Sequence, residues 1–219
     1  MNSAAWISLA AELRAHDQRG DFETPRSWPG TLTSPEVATD PVSILVNSDV
    51  SAAPYQDILI RALDSLTEPK ELEMVVRALT RKDTSAATDR LLRFFREGTN
   101  ERDPRLLWAV GNALHTIAPR DHLHEFIRIC RDPGFGFARG QLILHLSRFK
   151  KSEEAFETLI SLLQDESVRG QALEALWRYG DVRALPAIET TPVREGFYEV
   201  QAKSTALKRL NRKRHKHIA

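Results

Sequence analysis

A five-residue phrase that occurs three times decides the fold: Val110–Leu114 (VGNAL), Arg139–Ile143 (RGQLI) and Arg169–Leu173 (RGQAL). The glycines of the three copies lie 29 and 30 residues apart. A fixed period of this length is typical of a repeat protein, in which each copy packs on the next. An aliphatic residue also follows each glycine by six positions: Ile117, Leu146 and Leu176.

Each copy of the phrase lies in a stretch with helical periodicity, and a second helical stretch separates the copies. Asp121–Cys130 and Ser152–Leu163 carry apolar stripes at three- and four-residue spacing. Ser152 is expected to cap the second of these helices, and Gly180 to end the helix after it. A single helix pair cannot bury its apolar face, so the pairs are expected to stack. Glycine inside a helix costs about 1 kcal/mol relative to alanine, which suggests close approach of neighbouring helices at the three glycines.

The segment Ser167–Leu176 resembles the second helix of a HEAT repeat. Residues 103–179 carry this resemblance well, residues 55–102 and 181–211 loosely, and residues 1–54 not at all. The resemblance implies an all-α, right-handed solenoid of about five antiparallel helical hairpins over residues 55–211. It leaves 1–54 as an N-terminal helix plus arm, and 212–219 as a basic C-terminal tail. Further helices are expected over 55–66, 71–80, 86–97, 182–188 and 196–210.

The N-terminal region has a different composition. Residues 3–16 predict a helix with Trp6, Leu9 and Leu13 on one stripe. Residues 21–54 contain five prolines, a density that excludes helix and predicts an irregular arm, with Ser43–Val46 as its one candidate strand. Either Phe22 and Trp28 dock the arm over the first repeat, or the arm is mobile and orders on a partner.

Composition bounds the class of protein. The chain has 219 residues, an ordinary charged fraction of 28% and one cysteine, Cys130, which fits a reducing cytoplasm. No apolar run predicts a transmembrane helix, and the N-terminus lacks the pattern of a secretory signal. Charge is unevenly spread: residues 1–54 hold three Arg against seven acids, and residues 203–219 hold seven Lys or Arg and no acid.

We find no pattern of an enzyme. The sequence lacks a glycine-rich phosphate loop, a nucleophile elbow and a Cys-x-x-Cys pair. His122 and His124 are two residues apart, so on a helix they point in different directions and make a poor metal pair.

HEAT-like alkylpurine DNA glycosylases use aromatics, an aspartate and an arginine, which Trp108, Arg139 or Arg148, and Trp177 resemble superficially. Asn112, however, stands where that chemistry requires a carboxylate. We therefore expect no catalysis, no cofactor and no metal.

The repeat register does predict a binding surface. In HEAT-like solenoids the second helices commonly line the concave face, so the resemblance implies a groove with amides, aromatics and arginines, which suits a protein or peptide. The same residues also fit the ordinary polar face of any stacked helix. The expected groove residues are Trp108, Asn112, His115, Phe137, Gln141, Arg148, Gln171, Glu174, Arg178 and Gln201.

The basic C-terminus provides an alternative site. A dense run of cations contacts phosphates with an affinity that falls steeply as salt rises. Cations at a helix end also suit the helix dipole without any partner. We therefore expect a cytoplasmic, non-catalytic scaffold or adaptor that binds another protein, with a nucleic acid as the alternative partner and no membrane. The residues expected to meet an anionic partner are Lys208, Arg209, Arg212, Lys213, Arg214 and Lys216.

Overall fold

The computed structural model describes residues 3–23, 39–97, 103–194 and 197–218, and every regular element in these ranges is helical. The predicted all-α class is confirmed. The helices are α1 Ala4–His16, α2 Pro41–Asn47, α3 Gln56–Ser65, α4 Pro69–Ala78, α5 Thr88–Glu97, α6 Pro104–Ile117, α7 Leu123–Arg131, α8 Gly140–Leu146, α9 Glu153–Ser161, α10 Arg169–Tyr179, α11 Leu185–Thr190 and α12 Phe197–Ile218.

The chain forms two compact units. The first unit comprises Met1–Glu97 and Asn112–Ala118, and the second comprises Gly98–Gly111 and Pro119–Ala219. Within the first unit, α1 packs on α2 and α3, while α4 packs on α2 and α3. This unit therefore combines residues from both sides of position 54. None of the described helices is long and apolar enough to cross a membrane.

Helix α1 forms where the sequence predicts it. Trp6, Leu9 and Leu13 are buried, as expected for one stripe of an amphipathic helix. The hydroxyl of Ser3 accepts a hydrogen bond from the Trp6 backbone N–H at 3.1 Å, which caps the helix. The same hydroxyl donates to the buried Glu71 carboxylate at 2.6 Å, so one serine both starts α1 and ties it to α4.

The candidate strand Ser43–Val46 is wrong, because these residues lie in helix α2. Asp40 accepts a hydrogen bond from the Ser43 backbone N–H at 2.8 Å, and Pro41 follows it at the first helical position. Proline is tolerated there because its missing N–H would have no partner in the helix. The density of prolines therefore did not exclude helix, since one of them begins it.

Part of the predicted arm is docked. Phe22 is buried and its ring lies 4.9 Å from that of Tyr55, centroid to centroid. Phe22 is therefore packed within the first unit, whereas docking over a first repeat stays a prediction. Trp28, and the rest of residues 24–38, lie outside the described residues.

Consecutive helices of the second unit pack in pairs, which we call helix pairs. The first helices α7, α9 and α11 pack on the second helices α8, α10 and α12, respectively. The second helices also contact in chain order, α8 with α10 and α10 with α12, and the first helices α7 and α9 contact each other.

The ends of two helices lie where the sequence predicts them, since Ser152 caps α9 and left-handed Gly180 ends α10. Helix α12 continues to Ile218, eight residues beyond the predicted Leu210, so residues 212–218 belong to a helix.

The repeated glycines allow close packing, although two of the three do not lie in a helix interior. Gly140 is the first residue of α8 and Gly170 the second of α10. A Cβ on Gly140 would lie 3.1 Å from Gln171 Cγ, and one on Gly170 would lie 2.5 Å from Tyr198 Cε1. Each glycine therefore leaves room for a side chain from the next second helix, rather than for the close approach of two helix backbones that the sequence suggested.

Candidate functional site

The arginine that precedes the glycine in the second copy of the phrase is a buried connector. Arg139 is 1% exposed and donates to the backbone carbonyls of Cys130 at 2.6 Å and Gly136 at 3.0 Å. The Cys130 carbonyl belongs to the last turn of α7, where helix carbonyls lack intrahelical partners. Arg139 also donates to Asp165, which lies between α9 and α10 of the following helix pair. One guanidinium thus joins two consecutive helix pairs.

Arg169, at the equivalent position of the third copy, also connects neighbouring segments, but it makes fewer and longer contacts. Its Nε donates to the Leu163 carbonyl at 2.9 Å, directly after α9. Its guanidinium nitrogens lie 3.6 Å from Glu199 at the start of α12 and 3.9 Å from Glu166. We call Arg139 and Arg169 the arginine staples, because each links the end of a first helix to an acid further along the chain.

The arginine staples were missed by sequence reasoning. From the sequence, Arg139 is a candidate only as one arginine of a glycosylase-like set, whereas the structure buries it in protein contacts. The available signal was the arginine shared by the second and third copies, because a charged residue kept at an otherwise buried register position needs fixed partners.

Large apolar side chains are exposed at two matching positions of the repeat, two residues before the phrase begins. Trp108 and Phe137 each lie three residues before a repeat glycine, and they are 41% and 49% exposed. Tyr198, near the start of α12, is 45% exposed; its ring lies over Gly170 and its hydroxyl donates to Glu174 Oε2 at 3.0 Å. Trp108, Phe137 and Tyr198 form what we call the exposed aromatic set. Its members belong to the second unit.

The predicted amides have mixed environments. Gln141 and Gln171 are half-buried, and the Gln171 side chain fills the space above Gly140. Gln201 is exposed on α12. Asn112 and His115 are half-buried and belong to the first unit, whereas the other expected groove residues belong to the second.

Arginines gather near the C-terminal ends of α8 and α10. Burial lowers the pKa of Arg148, and the positive charges of Arg120 and Arg178 lower it further. Arg178 pairs with Glu174 at 2.5 Å, and its guanidinium lies 5.6 Å from the centroid of the Trp177 ring. Arg209 of α12 lies over the same ring at 5.4 Å. Two cations therefore share one indole, a favourable cation–π arrangement.

The cations of α12 divide into structural and exposed groups. Lys203 donates to the carbonyls of Glu189 and Thr191 at 2.9 and 2.6 Å, which caps α11, and Lys213 donates to the Gly180 carbonyl at 2.5 Å at the end of α10. The exposed cations Lys208, Arg212 and Arg214 have no ion-pair partner among the described residues. The Lys216 side chain lies outside the described part.

The histidines and the cysteine have structural surroundings. His122 Nε2 lies 3.4 Å from Asp121, whereas His124 Nδ1 lies 3.3 Å from Glu154 on α9. Within the described ranges, no three His, Cys, Asp or Glu residues are grouped so that they could hold a metal ion. Cys130 is fully buried, and burial raises the pKa of its thiol. A neutral thiol in an apolar site is a poor nucleophile.

The surface chemistry therefore consists of exposed aromatics, a group of arginines and a basic helix. Comparison with known proteins gave no match to any family model, curated protein or solved structure.

Proposed function

We propose that this chain is a non-catalytic scaffold that binds another protein, and that its second unit is a HEAT-like solenoid. The order of contacts supports the solenoid: each first helix pairs with the following second helix, and α8, α10 and α12 contact in turn. The arginine staples add a link from each of two helix pairs to the next. Such an arrangement presents its second helices as one continuous surface.

The exposed aromatic set is the observation that carries the protein-binding proposal. Scattered exposed apolar residues are ordinary, but Trp108 and Phe137 recur at one position of the repeat. In stacked repeats, equivalent positions lie side by side, so these side chains would form one edge of the second-helix surface. Tryptophan and tyrosine are also the residues that most often dominate the energy of protein interfaces.

The setting of Tyr198 supports the same proposal. Its ring is held on Gly170 and its hydroxyl is held by Glu174, so the side chain is already ordered in the free protein. An ordered aromatic loses little conformational entropy when a partner packs on it. The partner is then a protein with an apolar patch, of the kind that aromatic anchors recognise.

A site-specific photo-crosslinker tests the proposal. With p-benzoylphenylalanine in place of Phe137, irradiation of the cells that make the protein should give one protein adduct of discrete mass. The same amino acid in place of Glu157, which is exposed on α9, serves as the matched control. The adduct should disappear when Trp108→Ser is added. Equal labelling from positions 137 and 157, or an adduct that contains only nucleic acid, would overturn the proposal.

A further inference from the structure

A second surface of the second unit collects positive charge. We call Arg120, Arg148, Arg178 and Arg209 the arginine row. Arg120 lies in the turn before α7, Arg148 just after α8, Arg178 in the last turn of α10, and Arg209 within α12. Counted from each repeat glycine, the first three lie nine, eight and eight positions on. The row therefore follows the same repeat as the exposed aromatic set. Its arginines come after the phrase in each copy, whereas Trp108 and Phe137 come before it.

The members of the arginine row are close enough to repel one another. The charges of Arg120 and Arg178 both act on Arg148, and Arg178 and Arg209 both stack on Trp177. Glu174 pairs with Arg178, but it also accepts the hydroxyl of Tyr198. Gathering like charges in this way costs free energy that a bound anion would recover.

Helix capping does not account for the row. A cation near a helix C-terminus offsets the helix dipole, which would explain Arg148 and Arg178 singly. The last carbonyl beyond α10, however, is already satisfied by Lys213. Arg209 lies in the middle of its helix, and Arg120 lies before one rather than after it. A shared ligand explains all four positions.

The row has the chemistry of a phosphate-binding surface rather than of a single-ligand pocket. Guanidinium groups bind phosphate oxygens in a bidentate manner. Lys208 and Arg212 extend the positive charge along the exposed face of α12. The second unit as a whole holds 20 Lys or Arg against 15 Asp or Glu. A line of cations of this kind fits a chain of phosphates better than it fits one phosphate.

We propose that the arginine row, continued by Lys208 and Arg212, binds the phosphate backbone of a nucleic acid. Binding is independent of base sequence, because Trp177 is engaged by Arg178 and Arg209 and offers no free ring for stacking on a base. This site uses none of the residues of the exposed aromatic set, so it stands apart from the proposed protein-binding function.

Fluorescence anisotropy tests this proposal on the full chain. The probes are labelled RNA and DNA oligonucleotides of about 16 nucleotides, the corresponding DNA duplex, and a polyglutamate peptide as an acidic-protein mimic. Wild-type protein should bind at least one nucleic acid, with an affinity that falls steeply between about 50 and about 200 mM salt. Comparing the oligonucleotides then distinguishes RNA from DNA as the source of the phosphates.

Two double variants locate the site. Arg120→Gln/Arg148→Gln and, separately, Lys208→Gln/Arg212→Gln should each weaken binding by about tenfold or more and should reduce the salt slope by about one per lost phosphate contact. Lys208 and Arg212 are exposed, so their double variant still tests the proposal if Arg120→Gln/Arg148→Gln fails to fold. Arg93→Gln/Arg128→Gln removes the same charge from α5 and α7, and should leave binding within about twofold.

The proposal is overturned if no nucleic acid binds at the lowest salt concentration. It is also overturned if Arg93→Gln/Arg128→Gln loses as much affinity for the oligonucleotide as the two row variants do. The third contrary outcome is that polyglutamate binds more tightly than the oligonucleotide and displaces it. The variant Trp108→Ser/Phe137→Ser should retain nucleic-acid binding. It therefore separates failure of the arginine row from failure of the exposed aromatic set.

Discussion

Arg139 and Arg169 occupy the same position in the second and third copies of the phrase, but their contacts differ in strength. Arg139 makes short hydrogen bonds to two carbonyls and to Asp165. Arg169 makes one such bond, to Leu163, and reaches its two acids only at 3.6 and 3.9 Å. The difference shows that an arginine at one repeat position can connect consecutive helix pairs tightly or loosely. The strength of the connection depends on how closely an acidic side chain of the neighbouring segment approaches the guanidinium group.

The largest expected effect is the loss of the Arg139 staple. Arg139→Met leaves the buried Cys130 carbonyl without its partner and the part-exposed Asp165 without its cation, so we expect a loss of about 3 kcal/mol. Arg169→Met should cost about 2 kcal/mol, because fewer hydrogen bonds are lost. Urea unfolding followed by circular dichroism gives both free energies of unfolding.

Arg131→Met is the matched control, since Arg131 is exposed on α7 and approaches Glu154 only at 3.8 Å. Its free energy of unfolding should stay within about 0.5 kcal/mol of wild type. Equal losses for Arg139→Met and Arg169→Met would contradict the ranking of the two staples.

The two glycines should respond differently to the same substitution. In Gly170→Ala the new methyl meets the Tyr198 ring at 2.5 Å, and we expect a loss of about 1–2 kcal/mol. In Gly140→Ala it meets the flexible stem of Gln171 at 3.1 Å, and the backbone of Gly140 is one that alanine adopts easily, so the lower entropy of the unfolded chain should offset the crowding to within about 0.5 kcal/mol.

A double mutant isolates the cause at Gly170. Adding Tyr198→Ser to Gly170→Ala removes the ring that the methyl meets, so the double mutant should be more stable than additivity of the two single changes predicts. Additive losses would show that the methyl contact with Tyr198 is not the source of the destabilisation.

Acid should weaken the staple in the second copy. Burial alone would raise the pKa of Asp165, but hydrogen bonds from Ser167 and Arg139 outweigh it and hold this pKa below its ordinary value of 3.8. A lowered folded-state pKa gives stability that is complete above the unfolded-state value and is lost as pH falls through the folded-state value. The free energy of unfolding should therefore decline below about pH 4.

Asp165→Asn lacks that titration, so its loss of stability over the same acidic range should be smaller than that of wild type. Ser167→Ala keeps the Asp165 carboxyl group but removes one of its hydrogen bonds. Its loss of stability over the acidic range should therefore lie between those of wild type and Asp165→Asn. If the three proteins show parallel pH profiles, the lowered pKa of Asp165 does not contribute to folding.

The sequence revealed the parts of this fold that depend on local chemistry. The phrase and its period predicted the helices at 123–131, 153–161 and 169–179, and single residues such as Ser152 and Gly180 set the ends of helices. It failed at α2, where the burial of Val42, Ile44 and Leu45 overrides the strand propensity of a short β-branched run.

Partners distant along the chain could not be predicted in the same way. Arg139 meets Asp165 and Arg169 meets Glu199, separations of 26 and 30 residues that follow from how the helix pairs pack. The arginine row was likewise only partly visible: Arg148 and Arg178 share a register, but the stacking of Arg209 on Trp177 depends on the position of α12. A repeat pattern gives a residue's register but not its neighbours across a packing interface.

Phe137 is the position at which the side chains of the second and third copies differ most. The third copy has Ser167 at this position, and its hydroxyl donates to Asp165 and accepts from Arg139. The second copy instead leaves an aromatic ring half in solvent. Phe137→Ser makes the copies alike and should lower the free energy of unfolding by about 1–2 kcal/mol, because roughly half of the ring is buried.

The same variant should nevertheless lose the protein partner, as judged by co-purification with tagged wild-type and variant chains. A loss of binding by a folded variant whose stability falls no further than this would mean that the repeat keeps Phe137 for contact with another molecule. A larger loss of stability would mean instead that the ring supports the kinked segment around left-handed Gly136, and would remove the exposed aromatic set as an argument for binding.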